Sequence, residues 1–510
     1  MAVIAHDVRI VTTPVIIRPA RPAPRVPRAL SPAGRGNLKL WLYHPADLRG
    51  LPTGVFVQKT AAPDWQFTAA NPDGSLSLQL APGQYLIDTV EPPGSPLLRH
   101  RYQISVSATG AASISGMQPD GQGVYAVTLD AGTVPGERGA KLLALASEPA
   151  STFKPASACQ LMDQVTPVRS FNTDTSVGFP KVRVRLPSFG RIRALIVPVD
   201  FDEVSGKDDA AAFFTPLASD VRDFYLKQSY GRLAFDFDIL SRWVRLPFSP
   251  DKYGAADFTG YRNEIIGLTD GQIDYAQYDA VYFLVPKEMP MATMRMGPAI
   301  TFPTWTRTGY VLNGATGGAD MYYNEERGII GAKWKWMVHE TGHAFGLVDE
   351  DLDHASQTLG SWGVMANSWS NAAIEHNAWD RYLQGWLPVE QVACLTRPAQ
   401  AIKLSPLVRQ GSGIKAAMVP LSSSKILVME SRRNEGYDKL LPEQEGVLVY
   451  TVDMTLGSLG GGYRTQRRTG SVDRQFRDAA LHAGDAVTVD GVTVSVTAAD
   501  ADGDTVQVRR

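Results

Sequence analysis

Short apolar runs alternating with polar residues, punctuated by Gly and Pro, dominate the chain after Asn37: "LKLWLYH", "GVFVQKT", "DGSLSLQLAPGQYLIDTVEPPG", "HRYQISVSA" and "GVYAVTLD". Period-two alternation puts successive side chains on opposite faces of a strand, so these runs predict a small β-sandwich ending near residue 131. The pattern changes at "RIRALIVPVDF", an apolar run that predicts a buried strand, and again at "AAFFTPLASDVRDFYLKQSYGRL". In that second stretch Phe214, Leu217, Val221, Phe224 and Tyr225 recur at helical spacing, with Gly231 as the predicted stop. "AFDFDILSRWVRLP" and "YDAVYFLVP" predict further strands, and "GAKWKWMVHETGHAFGL" a further helix. This central block therefore reads as an α/β sheet. Beyond about residue 395, "GIKAAMVPL", "KILVMESRR", "GVLVYTVD" and "AGDAVTVDGVTVSVTAADADGDTVQVRR" predict a C-terminal β-sandwich. Within the last run, "DADGD" at 500–504 predicts a hairpin turn, because it lacks the rest of a twelve-residue calcium loop and its closing glutamate.

The predicted organisation is a Pro/Arg-rich tail at 1–36, a β-sandwich accessory domain at 37–135, a linker at 136–180, an α/β catalytic domain at 181–395 and a β-sandwich at 396–510. The stretch "RPARPAPRVPRALSPAGRG", 18–36, contains five Arg and no acid, and is read as a stiff solvated tail in preference to an arm for an anionic surface. With 44% hydrophobic and 20% charged residues over 510 positions, the composition is that of a globular protein, and a net charge of -2 gives no reason to expect nucleic acid or anionic lipid as a partner. No apolar run approaches the roughly 20 residues that span a bilayer. The start, "MAVIAHDVRIVTTPVIIRPA", is interrupted by His6, Asp7 and Arg9, so no secretion signal is read there. Cys159 and Cys394 are the two cysteines. Far apart in sequence, they are not expected to build a disulfide framework or a zinc knuckle, and they leave the redox compartment open.

The chemistry concentrates in "VHETGHAFGLVDEDLDH", 338–354. On a helix, residues i and i+4 share a face, so His339 and His343 can direct their imidazoles at one metal ion, with Glu340 beside them as general base. Zinc acidifies a water, and the adjacent carboxylate takes its proton as it attacks a carbonyl. For eight His and 52 acidic residues, this pattern arises by chance in roughly one chain in a hundred. Gly346 allows a sharp turn that would return Asp349 as a third ligand, leaving the fourth position open. Two other third ligands are weighed: Glu375, from a later helix, and His354, across a longer turn. Gly346 and the downstream Met365, in "GSWGVMANSWS", favour Asp349, since a methionine turn beneath the metal is a metzincin feature.

With these motifs in hand, the chain resembles the immune inhibitor A family of secreted metallopeptidases over most of 190–505. The matching stretches are "ALIVPVDF", "FYLKQSYGRL", "IDYAQYDAVYFLVP", "HETGHAFGLVDED", "WGVMAN", "AWDRYLQGWL" and "MESRRNEGYDKLLPEQEGVLVYTVD". The resemblance implies a metzincin-like α/β catalytic domain flanked by β-sandwich domains, zinc-dependent endopeptidase activity on protein or peptide substrates, and secretion. By motif position it implies His339, His343 and Asp349 as zinc ligands and Glu340 as the base. It also implies structural calcium, which the sequence does not place; Glu350, Asp351 and Asp353 form an acidic cluster read equally as a solvated turn. Tyr382 is weighed as an oxyanion stabiliser against packing on Trp386. "TGYVLNGATGGAD", 308–320, is read either as a substrate-pairing strand or as a mobile rim loop. The alternative function is an adhesion protein that binds glycan or protein through its β-domains, with a vestigial metal centre.

Overall fold

The computed structural model describes residues 185–510 except 254–256, 295–296, 301–302, 352–357 and 396–398. Before them it describes 8–11, 156–165, 175–181 and 37–131, the last without 44–50, 52–53, 61–64, 72–73, 90–96, 99–100, 121 and 129. The Pro/Arg-rich stretch 18–36 lies outside the described residues, as does most of the linker.

Among the described residues the protein is a mixed α/β molecule with several β-sheets and five α-helices. Its central sheet holds parallel strands β1 (Val8–Val11), β2 (Gly190–Phe201), β3 (Leu233–Leu240), β4 (Ala280–Leu284) and β5 (Gly314–Thr316), in the order β1-β3-β2-β4-β5. Strand β1 comes from the segment read as a tail. Two further sequence expectations hold: the apolar run of β2 is buried along its second half, and β3 alternates buried and half-buried residues. Helix α1 (Ala210–Gln228) packs on β3 through the predicted Phe214, Leu217, Val221, Phe224 and Tyr225, all buried. It starts at Asp209, whose carboxylate accepts from the Ala212 N–H at 2.7 Å, and the chain turns away at Gly231.

After α2 (Phe258–Thr269) and α3 (Asp320–Glu326) comes α4 (Ala332–Ala344), which carries "HETGH". Buried polar groups fix its rotation. Tyr225 donates to the Val338 carbonyl at 2.7 Å, Tyr282 on β4 pairs with Thr341 at 2.8 Å, and the Trp336 indole donates to Gly297 at 2.8 Å. With these contacts made by its inner face, the helix turns His339, Glu340 and His343 toward the cleft.

The outer edge of β5 is covered. Ala299 bridges antiparallel to Ala315, Ile300 N–H donates to Gly314 at 2.9 Å, and Thr316 N–H to Pro298 at 3.0 Å. This corrects both readings of 308–320. Gly309–Val311 forms a hairpin with Thr304–Thr306, and β5 is bonded on both sides, so the outermost strand-like backbone is 298–300.

The N-terminal β block is two sheets, of three and five strands, whose inward residues, Leu40, Leu42, Val55, Ile87 and Ile104 among them, form one cluster. The C-terminal block has the same layering. One sheet runs β6 (Val392–Cys394), β7 (Ala416–Pro420), β8 (Lys425–Arg432), β9 (Gly446–Asp453) and β10 (Tyr463–Thr465); the other has four strands and includes the predicted 500–504 turn. Strand β6 already belongs to this sheet although its residues precede 396. Between the sheet and α4 lies α5 (Ala378–Leu383), buried on every side. No helix among the described residues is long and apolar enough to cross a membrane.

Cys159 and Cys394 are joined by a disulfide across 235 positions, a single bridge that the sequence reading does not anticipate. The physical reason is that the Ala156–Cys159 turn of the connector lies against β6 and β7. Linear spacing carries no information about such a return. A Cys159→Ser/Cys394→Ser variant is expected to unfold with about 2–4 kcal/mol less stability in urea, while unreduced wild type, denatured and titrated for thiols, shows none.

Candidate metal centre

Helix α4 ends in a Schellman motif. Gly346 has φ 86°, its N–H returns to the His343 carbonyl at 2.9 Å, and the Leu347 N–H closes on Gly342 at 2.9 Å. A residue with a Cβ would be strained there. The reversal brings Asp349 back to the helix face. Its Oδ1 lies 3.3 Å from Nε2 of His339 and 3.3 Å from Nε2 of His343, and the three ligand atoms lie within 4.8 Å of one another. Ligands at 2.0–2.1 Å around a tetrahedral ion are separated by about 3.3–3.4 Å. The two carboxylate–imidazole separations match that spacing, and the group could hold a metal ion.

Each imidazole is oriented from behind. His339 Nδ1 lies 2.8 Å from the Val364 carbonyl and His343 Nδ1 lies 3.0 Å from the Leu347 carbonyl. A carbonyl only accepts, so Nδ1 carries a proton in each ring, and with a metal bound each neutral ring would present its Nε2 lone pair to the ion. Val364 belongs to the turn that contains Met365. That methionine is buried beneath the helix at Gly342, where an added Cβ would come within 2.3 Å of its sulfur. The methionine turn thus supports the site from below, as the sequence predicts.

Electrostatics follow from the same arrangement. Burial favours neutral imidazoles, but the Asp349 carboxylate overrides it, raising His343 to about 9 and His339 in the same direction. Burial opposes ionisation of Asp349 too, yet the two histidines hold it well below the usual carboxylate range. The three groups form a pocket that a cation satisfies. Glu340 is raised, chiefly by burial, against the opposing pull of the histidines and of the Ala299 N–H, which donates to its Oε2 at 2.7 Å. The Glu340 carboxylate is thereby held against backbone 298–300, which covers the edge of the sheet.

The other weighed residues go elsewhere. Glu375 is buried and bound on all sides: it pairs with Arg381, accepts from Gln228, and receives the Tyr437 N–H at 2.7 Å. It belongs to a structural ion pair and not to the metal group. His354 and Asp353 lie outside the described residues. Tyr382 donates to the Ala156 carbonyl at 2.7 Å and packs edge-on against Phe179 and Trp379, so it serves the core. Glu350 and Asp351 turn inward. Asp351 Oδ1 accepts backbone N–H groups from Thr358, Leu359 and Gly360, and Glu350 accepts from Asn377 at 2.5 Å. Burial first, and then the neighbouring Asp380, push Glu350 well above the usual carboxylate range.

One neighbour of the site has no signal in the local sequence. Ser458, from the loop between β9 and β10, donates its hydroxyl to Asp349 Oδ2 at 2.8 Å and accepts the Asp349 N–H at 2.9 Å. Compared with protein-family models and with curated proteins, the chain finds no match.

Asp349→Ala is expected to abolish stoichiometric zinc binding, measured by metal analysis after dialysis. Glu375→Ala is expected to retain zinc but to lose about 3–5 kcal/mol of stability, because Arg381 is then buried without its partner. Zinc loss in the second variant alone would reverse the assignment.

Proposed function

We propose that this chain is a zinc-dependent endopeptidase with a metzincin-like catalytic block flanked by two β-sandwiches, and that it acts on extended polypeptide outside the reducing cytosol. The observation that carries this reading is the convergence of His339 Nε2, His343 Nε2 and Asp349 Oδ1 on one point, with Glu340 on the same helix face and a strand-like edge beside it. Three protein ligands with an open fourth position are the donor set of a hydrolytic rather than a structural zinc. Zinc held there supplies Lewis acidity toward water and toward the scissile carbonyl.

The chain's own residues supply the rest. Glu340 accepts one proton from water as the water oxygen bonds to the carbonyl carbon. It then delivers that proton to the amide nitrogen as the C–N bond breaks, and is regenerated as a carboxylate. Its raised affinity for a proton, set by burial, suits both halves of this exchange. Backbone 298–300 lies along the side of the cleft with Ala299 bonded to the base. Pro298 and Ile300 bond the neighbouring strand and the Ala299 N–H bonds Glu340, so this backbone serves to orient the base. The Cys159–Cys394 disulfide supports an oxidising compartment. Retention of Glu340, correctly oriented, supports catalysis over a vestigial centre in a binding protein.

Glu340→Gln keeps the ligands and removes the base. With zinc content unchanged, its kcat/KM on casein or a mixed peptide library is expected to fall 10²–10⁴-fold. A zinc-loaded wild type that cleaves none of these substrates would refute the enzyme reading.

A further inference from the structure

We propose that Ser458 is a positioning residue of the metal centre, and that the C-terminal β block completes a site whose three ligands all lie outside it. The inference rests on the zinc reading above. His339 and His343 are held by a helix, but Asp349 stands on irregular backbone beyond the Gly346 reversal. A carboxylate there can rotate, offering either oxygen or both. What limits it is the loop between β9 and β10. Ser458 Oγ donates to Asp349 Oδ2 at 2.8 Å, the same oxygen accepts the Asp349 N–H at 2.9 Å, and the Leu459 N–H donates to the Asp349 carbonyl at 3.2 Å. The hydroxyl has one proton, and it is spent on Oδ2. That leaves Oδ1 as the oxygen presented to the two imidazoles, at 3.3 Å from each.

Two features show that the loop is built to this shape. Leu459 has φ 56°, a left-handed conformation unfavourable for a residue with a Cβ, and its N–H is the one that reaches Asp349. The loop base is closed by Asp453 N–H to Gly462 at 3.0 Å and by Thr455 to the Asp453 carboxylate at 2.6 Å, so it projects from two paired strands. The adjoining segment is held by the same block. Thr465 donates to Thr358 and Leu359, Ser361 N–H to Gln475, and the Trp362 indole to Phe476 at 2.6 Å. Asp349 is thus held by the loop that precedes β10, and residues 358–362 by β10 and the residues that follow it. Hydrogen-bond partners of metal ligands commonly tune affinity 10- to 100-fold. Ser458 is exposed at the lip of the cleft, where water can replace part of its role, so the low end of that range applies.

The test uses the full chain, with zinc affinity measured by competition against a chromophoric chelator and ligand geometry by the visible spectrum of the cobalt-substituted protein. Ser458→Ala is expected to weaken zinc binding about tenfold and to alter the cobalt spectrum. Ser458→Thr, which keeps the hydroxyl, should return both toward wild type, with metal-free melting temperatures alike in all three proteins. Affinity and spectrum unchanged in Ser458→Ala would overturn the inference while leaving the zinc reading intact. Equal weakening in the Ala and Thr variants would also overturn it, since loop packing and not the hydroxyl would then be responsible. A wild type that holds no zinc would remove both readings.

Discussion

The centre depends on one backbone reversal. His339 and His343 require only a helix, and any amphipathic helix provides two facing positions four residues apart. To bring Asp349 beside them, the chain must leave that helix at once and come back within the five residues between His343 and Asp349. Gly346 makes this possible by taking φ 86° while its own N–H and that of Leu347 satisfy the helix-end carbonyls. The same turn places the Leu347 carbonyl against His343 Nδ1. One local conformation therefore closes the helix, aims a ligand and delivers another.

Behind the turn, an apolar cluster that includes Val348, Leu359, Trp362 and Trp379 is interleaved with buried polar groups. Glu350 and residues 358–362 are bonded to Asn377 and to the C-terminal block, near which Glu430 meets Arg432 at 2.8 Å, Arg432 Nε meets Asp438 at 2.7 Å, and Arg381 meets Glu375. Such buried pairs add little net stability over well-packed apolar residues. They do impose geometry, because each group accepts few arrangements. Glu430 also receives the first N–H of α5, from Ala378, at 2.6 Å, and Asn377 links α5 to Glu350 directly beside the third ligand. Register between the C-terminal sheet and the metal loop is thus set by hydrogen bonds that a slipped packing would leave unmade.

What the sequence discloses and what it hides divide along this line. Helix α4, Glu340, the turn at Gly346, Asp349 and Met365 are legible because periodicity, spacing and a residue without a Cβ act locally. Most β-runs are legible because their alternation is strong. Edge backbone 298–300 is not, since it is too short for a pattern and its place is given by one antiparallel bridge to Ala315. The glycines of 308–320 suggested mobility, but Gly314 is there because β5 approaches Val281 too closely for a Cβ. Ser458, 109 positions from Asp349, and the pairing of Cys159 with Cys394 depend on long-range return of the chain, which no window of sequence encodes. Glu375, set below Asp349 on the sequence, is placed in an ion pair with Arg381 that only the fold reveals.

The N-terminal block bears on the same cleft from the other side. Leu86 packs with Tyr310 and Leu312, Trp305 joins them, and Gln103 donates to the Thr308 carbonyl. These contacts fall on the 304–311 hairpin, the segment that connects edge backbone 298–300 to β5. At the opposite margin, β1 pairs with β3 and closes the sheet there. Residues before the central sheet therefore brace it at both edges, and the hairpin leading from 298–300 to β5 buries Tyr310 against Leu86 of the N-terminal block. It follows that the N-terminal block holds, through that hairpin, the backbone whose Ala299 N–H bonds Glu340.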